Sequence, residues 1–367
     1  MDGMRTDSLK VAARPQDVDA AWLTLALRRA GALGAAASVA EVVARPVGHG
    51  LIGDSFRFEV TYDGDAPSAP ASLVGKFPAV DPVSKATGVS LNLYAREVAF
   101  YREMAATVKI ATPHAYVAEI NPASGDFTLL FEDLTPARHG DQLTGCSLED
   151  AETAMLEVAA LHGPRWGDPS LMTLEWLNSR PAANGSILDI LPGVVAGFRE
   201  RYQDLLEPDH MALCEALPGV WAKVNADTSA PPVIMHGDFR LDNILFDVQG
   251  GRRRMATLDW QTVGTGPALV DVAYFLSAGL PPDVRRANED ALVRRYHAEL
   301  LRLGVKDYRW DVCWRDYRRF AVNGVFMAVF SAMVVERTPR GDQMFMTMAR
   351  GACAQVLDHG AFGFWGG

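Results

Sequence analysis

The chain has 367 residues, 49% of them hydrophobic, and a formal net charge of −10. That length suits two or three domains or one bilobed unit, and the apolar share is ordinary for a globular protein with a sizeable core. The acidic balance argues against a nucleic-acid binder, which would carry a basic stripe; it leaves room for a phosphate site, which needs only a few local donors. Cys146, Cys214, Cys313 and Cys353 are scattered, with no CxxC pair and no Cys/His metal spacing, the pattern of reduced thiols in a cytoplasmic protein. The opening MDGMRTDSLKVAARPQDVDAAW has no apolar core of the kind a secretory signal needs, so a cytoplasmic location is expected. The most apolar run, FAVNGVFMAVFSAMVV at 320–335, falls short of the roughly 20 residues of a bilayer span and contains Asn323. It reads as a buried core helix, with no membrane span.

In chain order, DVDAAWLTLALRRAG predicts an amphipathic helix ending at Gly31, with Arg28 and Arg29 in its last turn. Residues 41–62 read as two strands around a glycine turn, the second, SFRFEVTY, alternating apolar and polar residues. GDAPSAP at 64–70 is a loop, and 71–77 a third strand. A helix over 91–106 places Tyr94, Val98, Tyr101 and Ala105 on one face, and strands follow at 114–120 and 127–131. After Leu134 the texture turns helical. Ser147 with Asp150 resembles a capping box; Met155, Val158, Ala159 and His162 share the face of the helix it starts. Further helices fit 194–206, 288–303, 314–335 and 343–357. The clear strand signal in this half is a hairpin, ILF and MATLDW around DVQGGRRR. A sheet-rich first third and a helical remainder predict an α+β protein divided at 1–134 and 135–367.

VGHGLIGDSF at 47–56 carries Gly48, Gly50 and Gly53 in the pattern G-x-G-x-x-G. A Rossmann dehydrogenase would follow it with a helix; here a strand follows, so the pattern suits a hairpin whose backbone N–H groups approach phosphates without a Cβ in the way. Judged alone it is equally an ordinary turn. Lys76 in SLVGKFP ends an apolar strand, and Glu97 in YAREVAFY lies on the next helix. A strand lysine held by a helix glutamate can meet nucleotide phosphates; Glu103 is a rival partner on the same helix, but Glu97 lies beside the apolar face.

HGDFRLDNILFD at 236–247 brings an Asp and an Asn close together in a segment that cannot be helix interior. Asp238 is a candidate general base, able to take a proton from an attacking hydroxyl. Asn243 is a candidate Mg²⁺ ligand, because an amide oxygen binds a hard cation without adding charge. Asp259, ending MATLDW after the hairpin, would return to the same place as the second metal ligand. Alone, Asp238 is as easily a turn residue; the whole set, His-x-Asp-x-x-x-x-Asn, strand, turn, strand, Asp, is hard to reach by chance. His236 reads as a hydrogen-bonded residue shaping the loop, and Asp242 as solvated or capping the turn.

These stretches, with LLFEDL at 129–134 and TLDWQTVGTGPALVDVAYFL at 257–276, occur in one order over about residues 40–280. They resemble the aminoglycoside phosphotransferase-like kinases, most closely the ecdysteroid-kinase-like (CHK kinase-like) branch. The resemblance implies a protein-kinase-like bilobal fold, antiparallel sheet then mainly helix, with ATP in the interlobe cleft. It implies Asp238 as catalytic base, Asn243 and Asp259 as Mg²⁺ ligands, Lys76 and Glu97 as the phosphate-positioning pair, and Gly48, Gly50 and Gly53 over the phosphates. LLFEDL, at about 129–134, would be the hinge, with Phe131 at the gatekeeper position and the Glu132 carbonyl and the Leu134 N–H facing adenine. Arg240 would neutralise charge on the transferring phosphoryl group, and Asp271 would brace the catalytic loop. Trp260-Gln261 replaces Phe-Gly after the metal carboxylate, and no Ala-Pro-Glu segment follows. That disfavours a protein kinase; the intact residue set disfavours a nucleotide-binding pseudokinase. A small-molecule hydroxyl acceptor remains. Trp310, Trp314, Tyr317, Phe320 and Phe326 could line an apolar pocket for it or be plain helical core. The C-terminal third has no dense acidic run of the kind a polycationic acceptor would want.

Overall fold

A computed structural model of the chain describes residues 9–49, 52–178 and 187–366; Gly50 lies outside them. The chain forms two compact units.

In the first unit, α1 (Ala20–Arg29) begins where Asp19 accepts the Trp22 N–H at 2.7 Å, and it gives way to Gly31, whose φ of +71° suits a residue without Cβ. Strands β1 (Ser38–His49), β2 (Gly53–Asp63), β3 (Ser72–Pro78), β4 (Ala115–Ile120) and β5 (Phe127–Glu132) make one antiparallel sheet in the order β1-β2-β3-β5-β4. Two further helices, α2 (Pro82–Ser90) and α3 (Leu93–Ala99), lie between β3 and β4 in sequence. The period-two alternation of strands sorts the core into two layers. Leu130 of β5 packs with Leu73, Phe58 and the buried face of α1, while its neighbours Phe127, Leu129 and Phe131 pack with Tyr94 and Val98 of α3. The single helix expected over 91–106 is regular only to Ala99; it widens over Phe100–Met104 and tightens over Ala105–Thr107.

The second unit contains β6 (Arg138–His139), α4 (Leu148–His162), the one-turn α5 (Glu175–Asn178), α6 (Ile187–Tyr202), α7 (Pro208–Ala226) and β7 (Pro232–Met235). Then come β8 (Ile244–Asp247), the turn α8 (Val248–Gly251), β9 (Arg253–Thr257) and β10 (Gly264–Pro267). It ends in α9 (Leu269–Gly279), α10 (Pro282–Arg302), α11 (Trp310–Phe320), α12 (Val322–Val334) and α13 (Pro339–His359). Two small sheets, β6-β8-β9 and β10-β7, carry the loops of interest.

Ala106–Thr112, expected in the first domain, belongs to the second unit. Its backbone is held there: Lys109 N–H donates to the Ala160 carbonyl at 2.9 Å, Ala111 N–H to Glu157 at 2.7 Å, and the Ala111 carbonyl accepts from Thr257 N–H at 2.8 Å. Ser147 caps α4 through the Asp150 N–H at 3.1 Å, and Arg138 pairs with the Asp150 carboxylate at 2.8 and 3.1 Å. α7 has no counterpart among the expected helices, since Pro218 interrupts its pattern. The helix expected over 314–335 is two, parted at Ala321, where the Trp365 indole N–H donates to the Arg319 carbonyl at 2.9 Å and offers that carbonyl a partner outside the helix.

Every residue of α9 is buried, as befits a helix apolar on all sides. A Cβ at Gly324 of α12 would stand 2.9 Å from the Ser277 hydroxyl, and one at Gly351 of α13 would overlap the Ser277 carbonyl. Glycine at these two positions lets both helices close on α9. The C-terminal aromatic residues are mostly core: Tyr317 and Phe320 are buried, Phe326 stacks on Trp221 with centroids 3.8 Å apart, and Trp314 stacks on Trp310 and Tyr317.

A buried ionic cluster ties α10, α11 and α13. Arg285, fully buried, pairs with Glu289 at 2.5 Å and with Asp358; Tyr317 donates to Glu289 at 2.6 Å and Gln355 to Tyr317 at 2.7 Å. Removing Arg285 takes the guanidinium from the buried Glu289, while Asp358 keeps Arg286. Arg285→Met is expected to cost about 3–5 kcal/mol, read from denaturant unfolding; a loss below about 1 kcal/mol would mean that the cluster is solvated rather than buried.

Candidate active site

In the first unit, alternation along β3 sends Leu73, Gly75 and Phe77 to the α1 side and leaves Lys76, opposite Leu129, on the α3 side. There the Lys76 ammonium meets Glu97 at 2.7 and 3.0 Å, with side chains 13% and 2% exposed. Glu97 is fixed because α3 docks through Tyr94 and Val98, Tyr94 lying 4.6 Å from Phe127 between ring centroids; Glu103 is exposed. Gly48 lies near the end of β1, and Gly53 opens β2. A Cβ on Gly53 would stand 3.0 Å from the Phe77 carbonyl and 3.5 Å from Lys76 Cε, so glycine is what lets the hairpin end close on the lysine. The Tyr94 hydroxyl donates to the Ile52 carbonyl at 2.6 Å and pins the same end of the turn to α3.

The expected adenine-facing segment ends β5. Phe131 packs on Tyr101 at 4.7 Å, and Glu132 is locked to His114, backbone N–H to carbonyl at 2.9 Å and Oε1 to the His114 N–H at 2.8 Å. Leu134 is buried. Asp133, given no role by the sequence reading, organises the turn between them: it pairs ionically with Arg57, Nε to Oδ2 2.8 Å, and accepts from the Ser72 hydroxyl at 2.5 Å and the Thr135 N–H at 3.0 Å. Burial alone would raise its carboxyl; the bonds from Ser72 and Thr135 and the charge of Arg57 outweigh that and hold it below the usual range.

In the second unit, the segment 236–243 runs from β7 to β8, and each step is hydrogen-bonded. Asp271 of α9 accepts the backbone N–H groups of His236 at 2.7 Å and Gly237 at 3.0 Å, and lies 3.3 Å from His162 Nε2 of α4. Gly237 has φ +80°, and a Cβ there would meet the Thr262 carbonyl at 2.5 Å, so the bend requires glycine. His236 is buried; its Nδ1 accepts the Asp238 N–H at 3.2 Å and its Nε2 faces the Leu258 carbonyl at 2.9 Å, which assigns the proton to Nε2. The expected loop-shaping role is what these bonds perform.

The Asp238 carboxylate is surrounded by donors. Tyr274 donates its hydroxyl to Oδ1 at 3.0 Å, Asn243 Nδ2 donates to Oδ2 at 2.9 Å, and Arg240 Nε reaches both oxygens at 3.1 Å. The same Asn243 nitrogen donates to the Asp238 carbonyl at 2.9 Å. Both amide hydrogens are therefore used, and reversing the amide would set Oδ1 against two acceptors. Asn243 Oδ1 is turned away from Asp238 as an available neutral oxygen. The β8–β9 register pairs Ile244 with Thr257, and Leu258 N–H donates to the Asn243 carbonyl at 2.8 Å. Asp259 thus follows at the Asn243 end of the hairpin, in a left-handed conformation, φ +62° and ψ +72°, of the kind that clusters at functional sites. An amide oxygen and a carboxylate at one hairpin end are a donor set that fits Mg²⁺.

Arg240 bridges two carboxylates, adding Asp242 at 2.8 Å and touching Met344 Sδ at 3.4 Å. Burial pulls the guanidinium's pKa down, but Asp238, Tyr274 and Asp242 more than reverse this and raise it. Asp242 is not solvated: Gln142 N–H at 2.9 Å, Arg240 and Arg340 at 3.6 Å hold it. The sequence reading also missed Tyr274. It lies three residues after Asp271, on the same face of α9, which is the signal that could have found it. Burial, then the Asp238 charge, holds its phenol far above the ordinary range, so it is a permanent donor.

Residues 44–311 match the model of the phosphotransferase enzyme family. A kinase-like protein of unassigned activity from Caenorhabditis elegans is 33% identical over 75 residues, 20% of each chain, so the match spans about a fifth of that relative's length. Among solved structures, an aminoglycoside 2'-phosphotransferase-IIIa in complex with GDP superposes with TM-score 0.51 at 13% identity over 84% of this chain and 92% of that one. A microcompartment-associated aminopropanol kinase gives 0.52 at 13% over 88% and 94%, and an ethanolamine kinase of Plasmodium vivax 0.50 at 11% over 84% and 82%. At such identities the likeness is one of fold, and that fold, an antiparallel-sheet unit and a mainly helical unit, is protein-kinase-like.

The depressed Asp133 carboxyl has a pH signature. Its stabilising contribution is complete above its unfolded value of about 4 and disappears as pH falls through the lower folded value. Asp133→Asn is expected to lower the denaturant midpoint at pH 7, and the gap to wild type should close as pH drops below about 4; a gap that does not vary with pH would contradict the ionised, paired state.

Proposed function

The chain belongs to the phosphotransferase enzyme family, and on that premise we propose that it transfers the γ-phosphoryl group of ATP, with Mg²⁺, to a hydroxyl of a small, neutral, apolar molecule. The observation that carries the reading is the Asp238 carboxylate, fixed in direction by Tyr274, Asn243 and Arg240 at 2.9–3.1 Å.

Asp238 is the general base. It accepts the proton of the acceptor hydroxyl as the new O–P bond forms and the bond to the β-phosphate oxygen breaks, releasing ADP. Lys76, its ammonium held by Glu97 at 2.7 Å, meets the nucleotide phosphates, and Gly48, Gly50 and Gly53 allow backbone N–H groups near them. The Glu132 carbonyl and the Leu134 N–H take the adenine, with Phe131 as gatekeeper behind them. Asn243 through Oδ1 and Asp259 through its carboxylate would hold Mg²⁺, which when bound neutralises the phosphate charge. Arg240 neutralises the transferring group; because it is bound to Asp238 and Asp242, this role has it exchange a carboxylate for phosphoryl oxygens.

The residues of α13 that reach the catalytic segment are Met344 and Arg340. A thioether and a cation suit an apolar acceptor better than a polycation. A protein-kinase reading is disfavoured after Asp259: β10 returns to pair with β7, and α9 begins directly after it, leaving no stretch for a substrate-gating segment.

Thermal melting should rise with ATP·Mg²⁺ and not with NAD(H). Across a panel of hydroxylated metabolites, Asp238→Asn is expected to lose about 10²–10⁴-fold in kcat with ATP binding kept. Equal turnover by the two proteins would refute the base assignment.

A further inference from the structure

The donors around Asp238 can be counted. An ionised carboxylate offers about four acceptor positions. Three donor hydrogens reach it here: that of Tyr274 on Oδ1, one of Asn243 on Oδ2, and the single Arg240 Nε–H shared between the two oxygens. These donors differ in how readily an arriving hydroxyl could displace them. Tyr274 is 1% exposed, and withdrawal would leave a buried phenol without a partner. Asn243 is held by a second bond, to the Asp238 carbonyl. Arg240 has other partners in Asp242 and Met344 and a charge that phosphate oxygens can satisfy.

We propose that Tyr274 is a positioning residue for the transfer: its hydroxyl keeps Oδ1 of Asp238 in place while the acceptor hydroxyl displaces Arg240. The inference rests on Asp238 being the base. The brace is built into one helix face. Asp271 holds the backbone of His236 and Gly237, and Tyr274, one turn on, holds the side chain that follows. α9 also anchors the far end of the segment. The Ala278 carbonyl accepts from Gln142 Nε2, Gln142 Oε1 accepts the Leu241 N–H at 3.2 Å, and the Gln142 backbone N–H donates to Asp242. Without the Tyr274 hydroxyl, the loop backbone would stay braced while the carboxylate could rotate toward Arg240, giving a misdirected base on an intact loop.

The test is a double-mutant cycle in the full-length protein under single-turnover conditions with ATP·Mg²⁺ and a turned-over alcohol. Tyr274→Phe keeps the ring and removes the hydroxyl. Its kcat is expected to fall about 10–100-fold, with KM for ATP unchanged. In an Asp238→Asn background the same substitution should change the residual rate by less than about twofold, because the tyrosine acts through the carboxylate. A wild-type kcat for Tyr274→Phe, or equal fractional losses in both backgrounds, would overturn the inference. Wild-type turnover by Asp238→Asn alone would instead remove the base assignment beneath it. Tyr274→Met also lacks the hydroxyl but packs differently: equal kcat losses with unequal melting temperatures support positioning, whereas losses that track melting temperature overturn it.

Discussion

The segment 236–243 depends on a buried helix that cannot move without unpacking the second unit. A loop that presents a carboxylate must give it one direction, yet loops are the least constrained part of a fold. Here α9, buried along its whole length, supplies the fixed reference. Asp271 takes two consecutive backbone N–H groups and Tyr274 one side chain. His162, on α4, meets Asp271 with one ring nitrogen and the Tyr296 hydroxyl of α10 with the other, at 2.8 Å. The rigidity of three helices is thereby passed to residues that belong to none of them. The glycines that admit α12 and α13 close to Ser277 serve the same end, since α9 is a good reference only if it is tightly enclosed.

Much of this was legible in the sequence because it is local. The pairing of a strand lysine with a glutamate on the next helix, the apolar stripe carrying Glu97 inward, and the hairpin returning Asp259 to Asn243 all follow from periodicity and turn chemistry. So did the loop-shaping role of His236 and the bracing role of Asp271, the latter through family resemblance. What was not legible depends on partners distant in sequence. Ala106–Thr112, between an expected helix and an expected strand, reads as part of the first unit until Ala160, Glu157 and Thr257 claim its backbone. Asp150 reads as part of a helix cap, and nothing local predicts that Arg138 also pairs with its carboxylate. Asp242 looks solvated unless one knows that Arg240, Gln142 and Arg340 converge on it. α7 hides behind Pro218, and the aromatic residues of α11 and α12 gave no means of telling a pocket lining from the core most of them form.

The charge arrangement around Arg240 explains why one cation can serve two states. It faces two carboxylates, so Asp238 and Asp242 together exceed it by one negative charge. If it turned toward incoming phosphate oxygens, Asp242 would not be left bare, because Arg340 and the Gln142 N–H remain beside it. Asp238 would keep Tyr274 and Asn243, two neutral donors. These neutral donors would still fix its direction once the cation had turned away. In this scheme the acceptor hydroxyl takes the place on Asp238 that Arg240 gives up as it turns to the phosphoryl group, which would limit proton removal to the time when a phosphoryl group is in place to be attacked.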